Sequence, residues 1–210
     1  GLKRFQIRVN NRKILNGFYA MLGLSQQSGE IMRTVDKLDK IGPDKVAELL
    51  VQSGLSPEQA REILSFTSIT GTNEEVLTAL EGYRGRNEVF DLGLDELNAV
   101  TKYLAAFGVP ETHFAVDLTI ARGLDYYTGT VYETTLLDHL EIGSVCSGGR
   151  YDNLAEYYTD RQLPGAGISI GLTRLFYVLG EQGMLNPDLP TAPADVLILP
   201  MTEDLSAAIS

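Results

Sequence analysis

The pattern of apolar and polar residues near the start of the chain predicts a strand followed by a helix. Residues 5–9 (FQIRV) alternate apolar and polar side chains, which is the period of a strand with one buried face. Asn10-Asn11 supplies turn chemistry, and residues 14–22 then show apolar positions at helical spacing. We therefore predict a strand, a turn and a helix in this order.

From about residue 41 the chain takes on helical patterning, with two strong helix-start signals. Residues 56–59 (SPEQ) and 72–75 (TNEE) both fit a capping box, in which the N-cap oxygen and the side chain three residues later bond free backbone donors. A further helix is predicted over residues 94–107, ending at Gly108. Residues 41–109 are therefore predicted to form an all-helical module.

Strand patterns return after this block, over residues 114–120, 128–137 and 165–170, and a helix is predicted over 172–179. Strands on both sides of a helical block predict an α+β fold with a helical insertion, and not the regular alternation of a doubly wound sheet. Residues 183–194 contain three prolines and are typical of a linker. Residues 195–200 resemble the first strand of another domain.

Composition narrows the class of protein. The 210 residues with an apolar fraction of 44% can bury a sizeable core in one or two domains. The longest apolar stretch, residues 166–180, is interrupted by Arg174 and falls short of the roughly 18 residues needed to span a bilayer, so a membrane role has no support. The first four residues, GLKR, include neither methionine nor signal-peptide regions, which predicts an artificial boundary.

Cysteine and histidine are scarce. The single cysteine, Cys146, excludes an internal disulfide framework and fits a reducing cytosol, and a small buried residue is its simplest interpretation. With His113 and His139 as the only histidines, no zinc cluster of recognisable spacing exists, and we predict no metal-binding residues.

Charge is unevenly distributed along the chain. The net charge of −11 argues against a nucleic-acid partner, yet residues 1–33 carry six Lys or Arg and one Glu, a net charge of +5. From Tyr103 onward there is no lysine, and four arginines stand among fourteen acidic residues. Arginines used so sparingly are predicted to have assigned partners. They are Arg122, Arg150, Arg161 and Arg174.

Residues 121–133 (ARGLDYYTGTVYE) have the features of a site for a small polar ligand. Arg122 offers a fork of donors suited to phosphate or carboxylate. The hydroxyls of Tyr126 and Tyr127 can bond a ligand's nitrogens while their rings form walls. The alternative is an aromatic strand with a solvated arginine.

Two more segments combine glycine with arginine. Residues 147–152 (SGGRYD) form one, and residues 165–174 (GAGISIGLTR) form the other. A glycine-bearing strand lets a planar ligand lie against its backbone, and Arg174 in the first helical turn can face a phosphate near the positive end of the helix. Such strand-to-helix junctions also serve packing alone.

Together these segments resemble those of histidyl-tRNA synthetases, which are class II aminoacyl-tRNA synthetases. Residues 122–127 (RGLDYY) are similar to the histidine-specific signature, 148–152 (GGRYD) to the second signature, and 167–174 to class II motif 3. The resemblance extends to residues 7–12 and 36–41. It implies a catalytic core built on an antiparallel sheet, a helical insertion domain that approaches the tRNA acceptor arm, and a C-terminal anticodon-binding domain.

The resemblance also implies a division of the chain. Residues 1–40 would be a catalytic core segment, 41–109 the insertion domain, and 110–186 the catalytic core with both signatures and motif 3. Residues 187–210 would be a linker and the beginning of the anticodon-binding domain.

The activity implied by the resemblance is histidine–tRNA ligation. ATP, with Mg²⁺, activates histidine to histidyl-adenylate, and the histidyl group passes to tRNA(His); the family implies a cytoplasmic homodimer. Arg122 would be catalytic, contacting the α-phosphate and the histidine carboxylate, with Asp125 orienting Arg122 or a backbone turn. The expected histidine-binding residues are Arg122, Tyr126, Tyr127, Gly149 and Tyr151, and the expected ATP-binding residues are Arg122, Gly171 and Arg174.

The resemblance leaves one further expectation and two open alternatives. Motifs 1 and 2, which supply the dimer element and further ATP-binding and amino-acid-binding residues, would lie before Gly1, so the 210 residues alone are expected to be inactive. A non-catalytic relative, such as the regulatory subunit of ATP phosphoribosyltransferase or a kinase-linked sensor domain, is the competing function. The basic residues from Lys3 to Lys13 either contact tRNA or pair with the acidic remainder, and Arg150 is expected to pair with a carboxylate.

Overall fold

A computed structural model describes residues 2–121, 126–188 and 196. Within these residues the strands are β1 (Phe5–Asn11), β2 (Phe114–Val116), β3 (Thr130–Leu136), β4 (Ser144–Tyr151) and β5 (Gly165–Ile170). The α-helices are α1 (Arg12–Met21), α2 (Ser28–Val35), α3 (Leu38–Ile41), α4 (Pro43–Gln52), α5 (Pro57–Thr67), α6 (Asn73–Glu81), α7 (Glu88–Ala106) and α8 (Leu172–Glu181).

The five strands form one sheet in the order β2-β1-β3-β4-β5. Strands β1 and β2 are parallel, whereas β1 and β3, β3 and β4, and β4 and β5 are antiparallel neighbours. Helices and a mostly antiparallel sheet confirm the α+β class predicted from the pattern.

The first strand continues directly into the first helix. The predicted turn at Asn10-Asn11 is wrong, because β1 extends to Asn11 and α1 begins at the next residue. Asn11 is the N-cap of α1, and its side-chain oxygen accepts a hydrogen bond from the backbone N–H of Lys13 at 2.9 Å. The polar chemistry that resembled a turn therefore serves as a helix cap.

Both predicted capping boxes are confirmed. The hydroxyl of Ser56 accepts from the backbone N–H of Gln59, and the Gln59 side chain accepts from the backbone N–H of Ser56. Thr72 and Glu75 exchange the corresponding bonds at the start of α6. Each box satisfies two donors that the first helical turn leaves free.

The long helix α7 begins six residues before the predicted Leu94, because the side chain of Asn87 caps it by accepting from the backbone N–H groups of Val89 and Phe90. Phe90 then becomes a buried residue in its first turn.

Helices α1 and α7 pack with their backbones in close contact. A methyl group built on Gly17 of α1 would lie 2.5 Å from the backbone nitrogen of Phe90, and one on Gly93 of α7 would lie 2.7 Å from that of Ile14. Each glycine is thus the point at which the partner helix approaches.

One buried apolar cluster runs from the sheet through α1 into the helical block, with members from β1 to Ala121. Within it, Phe18 of α1 stacks on Phe66 of α5 with ring centroids 3.9 Å apart. The proposed division at residues 40/41 and 109/110 is thus crossed by shared packing, and the division itself stays a prediction.

Two strands differ from the sequence expectation. Strand β2 ends at Val116, because the carboxylate of Asp117 accepts from the backbone N–H and the hydroxyl of Thr119 and turns the chain there. Strand β4 was not predicted, because Gly148 and Gly149 are typical of loops. Strand β3 and helix α8 lie within two residues of their predicted bounds.

The C-terminal part of the sheet is partly uncovered. Strand β5 has β4 on one side, and large apolar side chains on β5 and α8 are more than half exposed. These side chains are Ile168, Ile170, Leu172, Phe176 and Tyr177. The predicted linker beyond residue 188 and the predicted strand over 195–200 lie outside the described residues, apart from Val196. No helix among the described residues is long and apolar enough to cross a membrane.

Candidate functional site

Three tyrosines from the two signature segments meet on one face of the sheet. The rings of Tyr126 and Tyr127 have centroids 4.6 Å apart, and Tyr126 meets Tyr151 edge to face at 5.9 Å. Tyr126 and Tyr127 precede β3, and Tyr151 ends β4. The structure therefore brings together residues that the sequence separates by more than twenty positions.

Glycines beneath these rings make the close approach possible. A methyl group on Gly149 of β4 would lie 2.9 Å from Cδ1 of Tyr127 and 2.8 Å from the carbonyl oxygen of Thr130. A methyl group on Gly165 of β5 would lie 2.5 Å from Cε2 of Tyr151. The glycine-bearing strands β4 and β5 thus form a floor on which the tyrosine rings lie.

The Tyr127 hydroxyl is a neutral phenol at neutral pH. Burial raises the pKa of Tyr127 to about 12, and the neighbouring Tyr126 hydroxyl adds to the shift. A neutral phenol can both donate and accept a hydrogen bond. The pair can therefore recognise a ligand that carries one ring donor and one ring acceptor.

A fourth tyrosine, which the sequence analysis did not single out, connects three strands. The hydroxyl of Tyr132 in β3 donates to the carbonyl oxygen of Gly167 in β5 at 2.7 Å, crossing over Gly148 of β4. A methyl group on Gly148 would lie 2.5 Å from the Tyr132 hydroxyl. The signal in the sequence is the pair of glycines, Gly148 and Gly167; the segment that holds Gly167 fits packing as well as ligand approach.

Arg174 in the first turn of α8 contacts the backbone of β4. Its Nη1 donates to the carbonyl oxygen of Ser144 at 2.5 Å. Gly171 precedes the helix, and its backbone N–H donates to the carbonyl oxygen of Val145 at 2.8 Å. Gly171 and Arg174 thus lie at the junction of β5, α8 and the start of β4.

The expected catalytic residue Arg122 and its neighbour Asp125 lie outside the described residues. The chain on either side is described: Ala121 is buried before them, and Tyr126 follows. The role of Arg122 remains a prediction.

Arg150 pairs with a carboxylate, as expected. Its Nε donates to Oδ1 of Asp152 at 2.9 Å, and the hydroxyl of Thr128 donates to Oδ2 of the same residue at 2.6 Å. The Thr128 bond lowers the pKa of Asp152; partial burial opposes it and the Arg150 charge assists it. This carboxylate ties the residue after Tyr127 to the end of β4.

Most of the basic residues near the start of the chain form ion pairs. Arg4 bonds Asp138 at 2.5 Å. Lys13 bonds Glu96 of α7. Arg8 lies between Asp117 at 3.1 Å and Asp39 at 3.2 Å. These contacts favour internal pairing over contact with tRNA.

A cavity of about 690 Å³ lies beside strands β1 and β3, next to the ion pairs of Arg8. Its walls include Arg8 of β1, Glu133 of β3, Asp117 and Ser144. Glu133 is buried and has an interaction partner. Among the described residues no group of three or more His, Cys, Asp or Glu side chains is placed to hold a metal ion.

Comparison with solved structures shows which class of protein shares this fold. The fold matches the crystal structure of histidyl-tRNA synthetase from Nostoc sp. PCC 7120 with a TM-score of 0.85 and 44% identity, over 99% of this chain and 49% of that chain. It also matches an ATP phosphoribosyltransferase regulatory subunit/histidyl-tRNA synthetase from Bacillus halodurans C, with a TM-score of 0.67 and 23% identity, over 85% of this chain and 45% of that chain. At that identity the second match shows a shared fold alone.

Sequence comparison then identifies the family. The family model described as histidyl-tRNA synthetase matches residues 1–175. The histidine–tRNA ligase of Clostridium tetani (strain Massachusetts / E88) is 47% identical over 209 residues, which are 100% of this chain and 47% of that protein. The chain belongs to the histidyl-tRNA synthetase family. It spans about half the length of the curated relatives it matches.

Proposed function

We propose that the protein carrying this chain is a histidine–tRNA ligase, and that the tyrosine cluster is its histidine pocket. The observation that carries this proposal is the cluster of Tyr126, Tyr127 and Tyr151, in which Tyr127 lies against Gly149 and Tyr151 lies against the glycines of β5. An imidazole is a flat ring with one donor and one acceptor when neutral, so it can lie against tyrosine rings and bond their hydroxyl groups.

The proposed reaction has two steps. A carboxylate oxygen of histidine attacks the α-phosphorus of ATP, pyrophosphate leaves, and a terminal hydroxyl of tRNA(His) then attacks the histidyl carbonyl and releases AMP. In-line displacement depends on positioning and on stabilising developing negative charge. Arg122 is proposed for that charge, in contact with the α-phosphate and the histidine carboxylate.

The junction of β5 and α8 is proposed to hold ATP. One donor of Arg174 bonds Ser144, and the guanidinium has five in total, so further donors remain for a phosphate. Gly171 leaves the helix start without a side chain, so backbone N–H groups there can approach an anion. Mg²⁺ would neutralise charge on the ATP phosphates and would need only one or two protein carboxylates.

Activity is proposed to require more than these 210 residues. The relatives carry about as many residues again, and the resemblance places motif 2 in that further sequence. Single electrostatic donors are worth roughly 3 kcal/mol in a transition state. Loss of several such donors would leave no measurable adenylate formation. We further propose a homodimer, in the cytoplasm, for the whole protein.

The test is amino-acid-dependent exchange of labelled pyrophosphate into ATP by the full-length natural gene product, run with each of the twenty amino acids. We expect exchange with histidine alone, and none from the 210 residues by themselves. Exchange with another amino acid would contradict the proposal. Histidine binding without any exchange would favour the regulatory alternative instead.

A further inference from the structure

Side chains of β1 hold the segment that precedes the tyrosine pair. Arg8 bonds the carboxylate of Asp117 at 3.1 Å. Two residues on, the side-chain amide of Asn10 donates to the carbonyl oxygen of Ile120 at 2.9 Å and lies 3.4 Å from that of Leu118. Asn10 is fully buried, so these bonds are shielded from water.

Arg12 continues this row and contacts both ends of the stretch that carries the tyrosines. Its Nη1 donates to the carbonyl oxygen of Ala121 at 3.1 Å, before Tyr126. Its backbone N–H donates to the carbonyl oxygen of Gly129 at 2.9 Å, after Tyr127. One residue therefore connects the two sides of this stretch.

The position of Arg12 is itself fixed by its neighbours along the chain. Asn11 caps α1, and its Nδ2 donates to Oε2 of Glu96 in α7 at 2.8 Å. Lys13 bonds the other oxygen of Glu96. Arg12 is only 7% exposed between them. Because the backbone of Arg12 is fixed, movement of its buried guanidinium would break the bond to Ala121.

We propose that Arg12 is a positioning residue for Tyr126 and Tyr127, acting through the bond of its guanidinium to the carbonyl oxygen of Ala121. The bond to Gly129 comes from the backbone and is kept in the variants, so they test the side-chain bond. This inference rests on the proposed function for its link to histidine. Its structural part, the anchoring of the stretch, stands on the contacts alone. Lysine is expected to replace Arg12 poorly, because its shorter side chain does not place a donor at the position of Nη1.

The test compares Arg12→Met and Arg12→Lys in the full-length natural gene product with a matched control, Arg33→Met, at an exposed arginine of α2. Hydrogen exchange of the backbone amides of residues 126–131 reports anchoring. Steady-state pyrophosphate exchange gives KM for histidine and for ATP separately. Should Arg12→Met fail to fold, Arg12→Lys, which keeps the charge, carries the same comparison.

Loss of a charged hydrogen bond is expected to speed amide exchange in residues 126–131, and to raise KM for histidine, by about tenfold or more. Amide exchange in β5 and the KM for ATP should change less than about twofold. A larger change in both would indicate a general loss of stability instead of a local effect. Arg33→Met should match the unaltered protein.

Two results would overturn the inference. Unchanged amide exchange in residues 126–131 would show that Arg12 does not anchor the stretch. Faster amide exchange with an unchanged KM for histidine would show that anchoring has no effect on histidine binding. If the unaltered protein gives no histidine-dependent exchange, the proposed function fails, and the amide measurement still decides the anchoring.

Discussion

At the scale of single residues, the site depends on positions where a side chain is missing. Gly148, Gly149 and Gly165 lie beneath tyrosine rings at distances that no β-carbon could share. Glycine is needed at these positions for space and not for backbone conformation, since none of the three adopts a positive φ angle. The role of a glycine thus follows from its contacts across the sheet.

Gly149→Ala is expected to displace Tyr127 and to raise KM for histidine by about tenfold or more, since the new methyl group meets both a ring and a carbonyl oxygen. Pyrophosphate exchange measures this. Cys146→Ala, on the same strand, is the control. A Gly149→Ala protein with normal histidine use would remove Gly149 from the pocket.

Tyr19→Phe is expected to raise the free energy of unfolding by about 1 kcal/mol, because a buried hydroxyl without a hydrogen-bond partner costs stability. Tyr19 is fully buried, and within the described part of the chain its hydroxyl has no such partner. Urea unfolding compares the two proteins. A destabilised variant would show that the hydroxyl is bonded in solution.

Local residue roles were predictable where the cause is local. The capping boxes at Ser56 and Thr72 follow from four consecutive residues, and the structure has both. The bond between Tyr132 and Gly167 joins residues 35 positions apart. It depends on the register of β3, β4 and β5, which no short pattern contains.

At the scale of elements, α1 and α7 define the packing beneath the sheet. Gly93→Ala is expected to destabilise the fold by about 1–3 kcal/mol, because the added methyl group would overlap the backbone of α1. Gly180→Ala in α8 is the control. Its methyl group would find only ordinary contact at 3.6 Å, so higher helix propensity should leave stability equal or raised.

Thermal or urea unfolding distinguishes the two alanine variants directly. Equal effects of Gly93→Ala and Gly180→Ala would contradict the close approach of α1 and α7.

The bond between Thr128 and Asp152 joins the residues before β3 to those after β4, and it makes the stability of the fold depend on pH. The pKa of Asp152 is lower when folded than its ordinary value of 3.8. Its contribution is therefore complete above that value and declines as pH falls through the folded pKa. The stability difference between the unaltered protein and Asp152→Asn should be largest near pH 6 and shrink toward pH 3. A difference that grows in acid would contradict this assignment.

The types of most elements followed from periodicity, and their ends did not. Helix α7 began early because Asn87 caps it, and β2 ended early because Asp117 bonds Thr119. Strand β4 was not predicted, because glycine is uncommon inside strands. Gly148 and Gly149 are required in β4 because tyrosine rings lie against them.

At the scale of the whole molecule, the opposite charges of the two parts of the sequence meet in the fold. Arg4 and Arg8 of the basic end bond Asp138 and Asp117, which come from the acidic remainder. The sequence predicted that such pairing was available, and only the sheet order determined the partners. These ion pairs therefore join the start of the chain and β1 to the segments that follow β3 and β2.

The most direct test of this account is a crystal structure of the full-length natural gene product with histidine and a non-hydrolysable ATP analogue. We expect the imidazole to lie against the rings of Tyr126, Tyr127 and Tyr151, with its nitrogens bonded to hydroxyl groups of this cluster. Histidine bound at another place, or a cluster filled by the protein's own side chains, would contradict the histidine pocket.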